Sequence, residues 1–182
     1  MRSLAPVLVL FFLLSGCAAE ERPATDETET GAGERLPASV EVGDVMPPYT
    51  AKRLDGGEFS LADAGEVVLV NIWATWCGPC RAEIPDLIAL QNEFGGRGFT
   101  VIGASIDAPA TEGEVKPFAQ KYGITYPIVL DPEARIADLF ETSVIPTSAL
   151  IDRAGKVVWM EVGIVDAGDP ELRSAIERAL QG

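Results

Sequence analysis

The sequence predicts an α/β domain in which a central mixed sheet is covered by helices on both faces. From residue 40 onward, segments of strand character alternate with segments of helical character, a pattern typical of such layered folds. The clearest strand is 67–73, VVLVNIW, a continuous apolar run with several β-branched residues, as expected for a strand buried on both faces. The chain ends in a predicted hairpin and a helix, so antiparallel neighbours are expected beside parallel ones.

Local signals predict the other elements in chain order. An Asp-Gly-Gly turn at 55–57 lies between two short strand segments and predicts an N-terminal hairpin. A helix is expected over 79–94, ahead of two glycines, and a last helix begins after Asp169, which acts as its cap. The remaining predictions are strands over 99–106, 127–130, 146–151 and 156–162, and helices over 114–122 and 132–140.

The N-terminal segment has the composition of a secretory signal. Arg2 is followed by the apolar run 4–14, which is too short to span a bilayer as a helix. Leu-Ser-Gly-Cys at 14–17 resembles the bacterial lipobox, and this resemblance implies that Cys17 becomes the lipid-bearing first residue of the mature protein. We therefore expect a signal peptide over 1–16, a lipidated cysteine with a disordered acidic tether over 17–39, and a folded domain over 40–182.

This organisation predicts an extracytoplasmic protein, anchored by lipid to a bacterial membrane on its periplasmic side or at the outer cell surface. Its formal net charge of −14, without a basic patch, argues against nucleic acid as a partner. The chain contains no histidine, which excludes Ser-His-Asp and Cys-His catalysis and any metal site with a histidine ligand. The remaining chemistry must use cysteine, carboxylates, backbone groups and ordinary polar side chains.

Once Cys17 is assigned to lipid, Cys77 and Cys80 remain as a pair within the stretch WCGPC. Cys77 falls where the buried strand ends and a helix begins, so backbone N–H groups and the helix dipole favour its thiolate. Cys80 follows about one helical turn later. Two thiols placed in this way can close into a disulfide and reopen, with Cys77 attacking and Cys80 resolving the mixed disulfide.

Two other functions for this pair are less favourable. A zinc site needs four ligands, whereas the chain offers one CxxC pair and no histidine. A purely structural disulfide would close so short a loop that it would remove little entropy from the unfolded chain. A redox-active disulfide is therefore the favoured interpretation.

Residues 40–180 resemble the thioredoxin superfamily, in particular the extracytoplasmic thiol-disulfide reductases of the TlpA/ResA type. WCGPC at 76–80 matches the active-site motif of that family, and VIPT at 144–147 matches the loop whose proline is cis. The segment 100–140 includes what resembles the central αβ insertion of this subgroup. The resemblance implies a thioredoxin-like sheet with that insertion and with the N-terminal hairpin.

The resemblance also implies roles for individual residues. Cys77 would be the exposed nucleophile and Cys80 the buried resolving thiol. Substrate contacts would come from the exposed side of the motif and from the loop facing it, that is from Trp76, Ile145, Pro146 and Thr147. Two alternatives stay open: Pro146 as an ordinary proline at the start of a strand, and Trp76 as a packing residue. Trp73, within the apolar strand, is expected in the core.

One departure from classical thioredoxin concerns the proton acceptor. Thioredoxin carries a buried Asp six residues before its first active-site cysteine, where this chain has Asn71, which cannot exchange protons. Glu83 lies three residues after Cys80, on the same helical face, and the TlpA/ResA-like proteins also have Glu there. We therefore expect Glu83 to accept the proton of Cys80, its pKa raised by burial; the alternative is a solvated Glu in the first helical turns. Pro85 is assigned a structural role.

These observations predict a thiol-disulfide oxidoreductase that reduces client proteins, with apocytochrome c as the client class that the resemblance suggests. It would be a monomer that receives electrons from a membrane thiol donor and needs neither a cofactor nor a metal. One alternative is a peroxide reductase of the redoxin group, which the absence of a Pro-x-x-x-Thr-x-x-Cys motif disfavours. The other is a lipid-tethered binding module without turnover.

Overall fold

A computed structural model describes residues 39–182, and its strands form one mixed seven-stranded sheet. The strands are β1 (Thr50–Arg53), β2 (Glu58–Ser60), β3 (Val67–Trp73), β4 (Phe99–Ser105), β5 (Ile128–Leu130), β6 (Thr147–Ile151) and β7 (Val157–Val162). The helices are α1 (Gly78–Phe94), α2 (Val115–Tyr122), α3 (Arg135–Leu139) and α4 (Pro170–Gln181). The predicted signal peptide, Cys17 and most of the predicted tether lie outside the described residues.

The strand order is β2-β1-β5-β4-β3-β6-β7, with β3 near the centre. β3 pairs in parallel with β4 and antiparallel with β6, which confirms the predicted mixed sheet. The hairpin β1–β2 extends one edge, and α2 with β5 forms the predicted αβ unit in the middle of the chain.

All seven residues of β3 are buried because helices cover both faces of the sheet. Val67 and Leu69 point into a core cluster with apolar residues of α1 and α4. Val68 and Val70 point to the opposite face, where α3 and the N-terminal hairpin contribute the other half of the core. Because side chains alternate along a strand, the side chains of β3 pack into two apolar layers, one on each face of the sheet. The whole strand, including its carboxyl end, is therefore buried.

Two predicted helix ends differ from the structure. The helix expected over 132–140 is limited to α3, because Ala134 adopts a left-handed conformation (φ 54°) and the buried carboxylate of Asp131 accepts the N–H of Ile136. The two glycines after α1 are predicted to end the helix, but the chain continues in a helical turn beyond them. A 3-10 turn, Gly95–Arg97, follows, and the left-handed residue is Gly98 (φ 86°).

The segment before β1 also belongs to the domain. The backbone of Val45 bridges antiparallel to Lys156, and the N–H of Met46 donates to the carbonyl of Gly155. No periodicity in the sequence indicates this pairing. Among residues 39–182, none of the helices combines the length and the apolar character required to cross a membrane.

Candidate active site

The disulfide Cys77–Cys80 lies where β3 gives way to α1. Cys77 is the N-cap residue of α1, and its backbone is extended (φ −79°, ψ 114°). Its Sγ accepts the N–H of Cys80 at 3.1 Å, and Pro79 occupies the first turn, where a missing N–H costs no hydrogen bond. The first thiol is therefore placed at the positive end of a 17-residue helix, as the sequence predicts.

Both cysteines are buried in this oxidised state, which corrects the prediction of an exposed nucleophile. Cys77 is 4% exposed and Cys80 2% exposed. The carbonyl oxygen of Ile145 covers Cys77 Sγ at a distance of 3.8 Å, and Trp73 packs in the same apolar cluster.

The loop that faces the disulfide contains the predicted cis peptide bond, Ile145–Pro146. Ile145 is half-buried, with its carbonyl toward Cys77 as described. Thr147 is fully buried, and its Oγ1 donates to the carbonyl of Val144 at 2.7 Å, so this side chain holds the loop. Strand pairing in β6 turns the side chain of Thr147 inward, so the predicted contact with a substrate would have to use its backbone.

Exposed apolar side chains flank this loop and the disulfide. Trp76 is 63% exposed, next to Cys77 in the sequence. Val144 and Ile164 are about half exposed and lie on two segments that meet where the N–H of Gly163 donates to the carbonyl of Pro146. Large exposed apolar side chains beside a reactive disulfide are typical of surfaces that receive another protein.

Glu83 is fully buried beneath the site, on the same helix as Cys80. Its Oε1 accepts a hydrogen bond from Asn71 Nδ2 at 2.8 Å, and its Oε2 accepts the N–H of Val165 at 2.9 Å. Burial raises the pKa of Glu83 to about 7, although both hydrogen bonds favour the carboxylate and act in the opposite direction. The alternative of a solvated Glu is wrong, and the carboxyl group is suited to exchange a proton near neutral pH.

Asn71 connects Glu83 to the sheet. Its Nδ2 donates to Ser148 Oγ at 3.0 Å as well as to Glu83, and Asn71 and Ser148 are register partners of β3 and β6. An amide that turns over presents its oxygen instead of its NH₂, and a serine hydroxyl both donates and accepts. Asn71 and Ser148 can therefore serve the ionised and the neutral form of Glu83 alike.

Comparison with known proteins places this geometry in a family. Residues 42–160 match the family model described as AhpC/TSA. The chain belongs to the AhpC/TSA family. Among the relatives of this AhpC/TSA protein is a thioredoxin-like protein YneN of Bacillus subtilis, 35% identical over 135 residues, with 74% of this chain and 79% of the relative covered. A thiol-disulfide oxidoreductase ResA of Bacillus anthracis is 34% identical over 125 residues, covering 68% and 71%.

A solved structure supports the same assignment for this AhpC/TSA protein. A protein described as a thiol:disulfide interchange protein DsbE from Chlorobium tepidum superposes with a TM-score of 0.70 at 33% identity. The match covers 78% of this chain and 99% of the DsbE chain. The predicted thioredoxin-like fold and the predicted class, a thiol-disulfide oxidoreductase, are confirmed by these relatives.

Sequence reasoning missed two polar groups near the site of this AhpC/TSA protein. Asp107 is 1% exposed just after β4, and Ser105, at the end of β4, is equally buried. Because β3 and β4 are parallel, their carboxyl ends meet at the same edge of the sheet. The signal was the polar pair in Ser-Ile-Asp, which begins at the last residue of a buried strand. Within residues 39–182 there is no cluster of three or more potential metal ligands.

Proposed function

We propose that this AhpC/TSA protein reduces disulfides in client proteins outside the cytoplasm through Cys77 and Cys80. The observation that carries the proposal is the combination of a helix-capping thiol with a fully buried carboxyl group three residues after its partner. The helix terminus stabilises the attacking thiolate, and Glu83 supplies a proton acceptor whose pKa lies near neutral pH.

The reaction proceeds by two exchange steps. The Cys77 thiolate attacks one sulfur of a client disulfide, so the client S–S bond breaks, a mixed disulfide forms at Cys77, and one client thiolate leaves. Glu83 then takes the proton of Cys80, whose thiolate attacks Cys77 Sγ and releases the second client thiolate. The client gains two electrons and two thiols, while Cys77 and Cys80 close into the disulfide described above.

Client binding is proposed at the exposed apolar side chains of Trp76, Val144 and Ile164. The backbone of Ile145 next to the disulfide supports pairing with an extended client segment, with Pro146 behind it. Apocytochrome c is the proposed client class, and a membrane thiol donor is the proposed source of the two electrons that reopen Cys77–Cys80. The Gly-Pro pair between the cysteines supports the reducing direction, because the TlpA/ResA-like resemblance associates it with reducing members.

Insulin reduction tests the proposal. In the presence of dithiothreitol, we expect the protein to accelerate precipitation of the insulin B chain, and the Cys77→Ser variant to lose all of this acceleration, because no nucleophile remains. A wild-type protein that gives no acceleration would instead point to a binding module. Rapid consumption of hydrogen peroxide without insulin reduction would point to a peroxide reductase.

Attachment to a membrane is a second expected property. We propose that lipid at Cys17 anchors the protein, with 18–39 as a tether, since Leu-Ser-Gly-Cys follows an apolar N-terminal run. The Cys17→Ala variant, expressed in a bacterial host, is expected to leave the membrane fraction while retaining insulin reduction. If the variant still sediments with membranes after a high-salt wash, the lipid attachment is refuted.

A further inference from the structure

Asp107 is a buried carboxylate with three hydrogen-bond donors around it. Its Oδ2 accepts the backbone N–H of Thr75 at 3.0 Å and the hydroxyl of Ser105 at 2.8 Å. Its Oδ1 accepts the hydroxyl of Thr75 at 2.6 Å. None of the salt bridges in the described part of the chain involves Asp107, and these hydrogen bonds offset part of the cost of burying the group.

Thr75 lies in the short turn that connects β3 to the cysteines. This turn is closed by the N–H of Cys77, which donates to the carbonyl of Ala74 at 3.1 Å. Asp107 holds both the N–H and the hydroxyl of Thr75, and the N–H of Ile106 donates to the carbonyl of Trp73 at 2.9 Å. The segment that follows β4 is therefore hydrogen-bonded both to the last residue of β3 and to the turn that leads to Cys77.

We propose that Asp107 is a positioning residue for the thiol exchange: acting through Thr75, it fixes the turn that places Cys77 Sγ at the N-terminus of α1. This inference rests on the proposed function. Stabilisation of a thiolate by backbone N–H groups depends on distance and direction, so a turn that moves lets Cys77 drift away from the N–H of Cys80. In this role Asp107 neither contacts the client nor transfers a proton.

The chemistry of the donors explains why a carboxylate occupies this position. Two oxygens are needed to accept one backbone N–H and two hydroxyl groups, and an aspartate supplies both without a donor of its own. A leucine or alanine would leave the N–H of Thr75 without this partner beside a buried site. Hydrogen bonds to a charged acceptor are also stronger than those to a neutral one, so a carboxylate holds Thr75 more firmly.

The decisive variant is Thr75→Val, which keeps the shape of the side chain and the charge of Asp107 but removes the hydroxyl contact. The pH dependence of Cys77 alkylation by iodoacetamide, followed by mass spectrometry on the reduced protein, measures the thiolate. We expect the pKa of Cys77 to rise and its reaction at neutral pH to slow on the order of tenfold. Thr75→Ser restores the hydroxyl and is expected to restore the wild-type profile.

Thr111→Val is the matched control, since it removes a hydroxyl that donates to the carbonyl of Ala108 instead of to Asp107. It is expected to leave the Cys77 profile unchanged. A Thr75→Val profile that superimposes on wild type would overturn the inference, even if the variant unfolds more easily, because loss of stability alone indicates a purely structural contact. Asp107→Ala is a second variant, expected to shift the profile at least as far as Thr75→Val.

The alkylation experiment needs no client protein, so it separates the two proposals. If wild type fails to reduce insulin, the proposed function fails whatever the variants show. If wild type reduces insulin and Thr75→Val keeps the wild-type Cys77 profile, only the role of Asp107 is refuted.

Discussion

The Cys80→Ser variant is expected to accumulate a stable mixed disulfide with client protein through Cys77. Cys77 caps α1 and retains the helix terminus that favours its thiolate, whereas the thiol that would displace the client is gone. We expect insulin turnover to fall to background. Non-reducing electrophoresis with mass spectrometry measures the trapped species, and reduction by dithiothreitol should release it.

Cys77→Ser is the matched control, because the two cysteines lie three residues apart in one disulfide and both are almost fully buried. It is expected to trap no client, because Cys80 lies inside α1 and lacks the N-cap position that favours the thiolate of Cys77. Comparable trapping by the two variants would mean that Cys80 also attacks clients. The assignment of Cys77 as the nucleophile would then be wrong.

The Glu83→Gln variant is expected to slow the second exchange step without impairing the first. Gln retains the shape of the side chain, and its oxygen can still accept the N–H of Val165, while Asn71 turns over to meet its NH₂. It cannot take a proton, so resolution by Cys80 should fall on the order of 10²-fold at most, with water replacing part of the function. Rapid-quench measurement of mixed-disulfide decay reports this step directly.

The pH profile provides the sharper test. In wild type, resolution should decline as the pH falls through about 7, because protonated Glu83 can no longer accept the proton of Cys80. Glu83→Gln should lack this step, whereas the comparison variant Asp86→Asn should keep it, moved to lower pH, because the charge of Asp86 helps to raise the pKa of Glu83. Asp86 also lies on α1 and accepts a backbone N–H of the same loop, that of Ala167 at 3.0 Å. Superimposable profiles for wild type and Glu83→Gln would exclude Glu83 as the acceptor.

The same carboxyl group links stability to pH. Its pKa is raised from 4.5 to about 7 in the folded protein, so the folded state binds this proton more tightly than the unfolded chain. The contribution of Glu83 to the free energy of unfolding therefore declines as the pH rises from 4.5 to about 7, by up to about 3 kcal/mol. Denaturant titrations of the oxidised protein should show this decline relative to Glu83→Gln. If the free energy of unfolding depends on pH in the same way for wild type and Glu83→Gln, the raised pKa of Glu83 is refuted.

The elements with strong local signals could be predicted from the sequence alone. The apolar run 67–73 is β3 to the residue, and Asp169 caps α4 by accepting the N–H groups of Glu171 and Leu172. The spacing of Cys77 and Cys80 at a strand-to-helix junction is likewise local. In each case the determining residues are neighbours in the sequence, so composition and order carry the information.

The features that could not be predicted from the sequence depend on contacts between distant segments. The burial of Cys77 comes from Ile145, 68 residues later, and the inward position of Thr147 comes from pairing with β3. Nothing near Asp107 in the sequence indicates that it accepts hydrogen bonds from Thr75, 32 residues earlier. Such contacts appear only when strand order brings the segments together.

The hydrogen bond between Glu83 and the N–H of Val165 spans 82 positions of the sequence. The proton affinity of the acid is thus governed partly by the connection between β7 and α4, a segment that carries none of the reacting groups. Changes that break this hydrogen bond while Glu83 stays buried would remove a contact that favours the carboxylate, raise the pKa of Glu83, and shift the working pH of the enzyme while both cysteines stay untouched. Protein engineers and natural selection alike could therefore adjust the working pH of this oxidoreductase by altering the connection between β7 and α4.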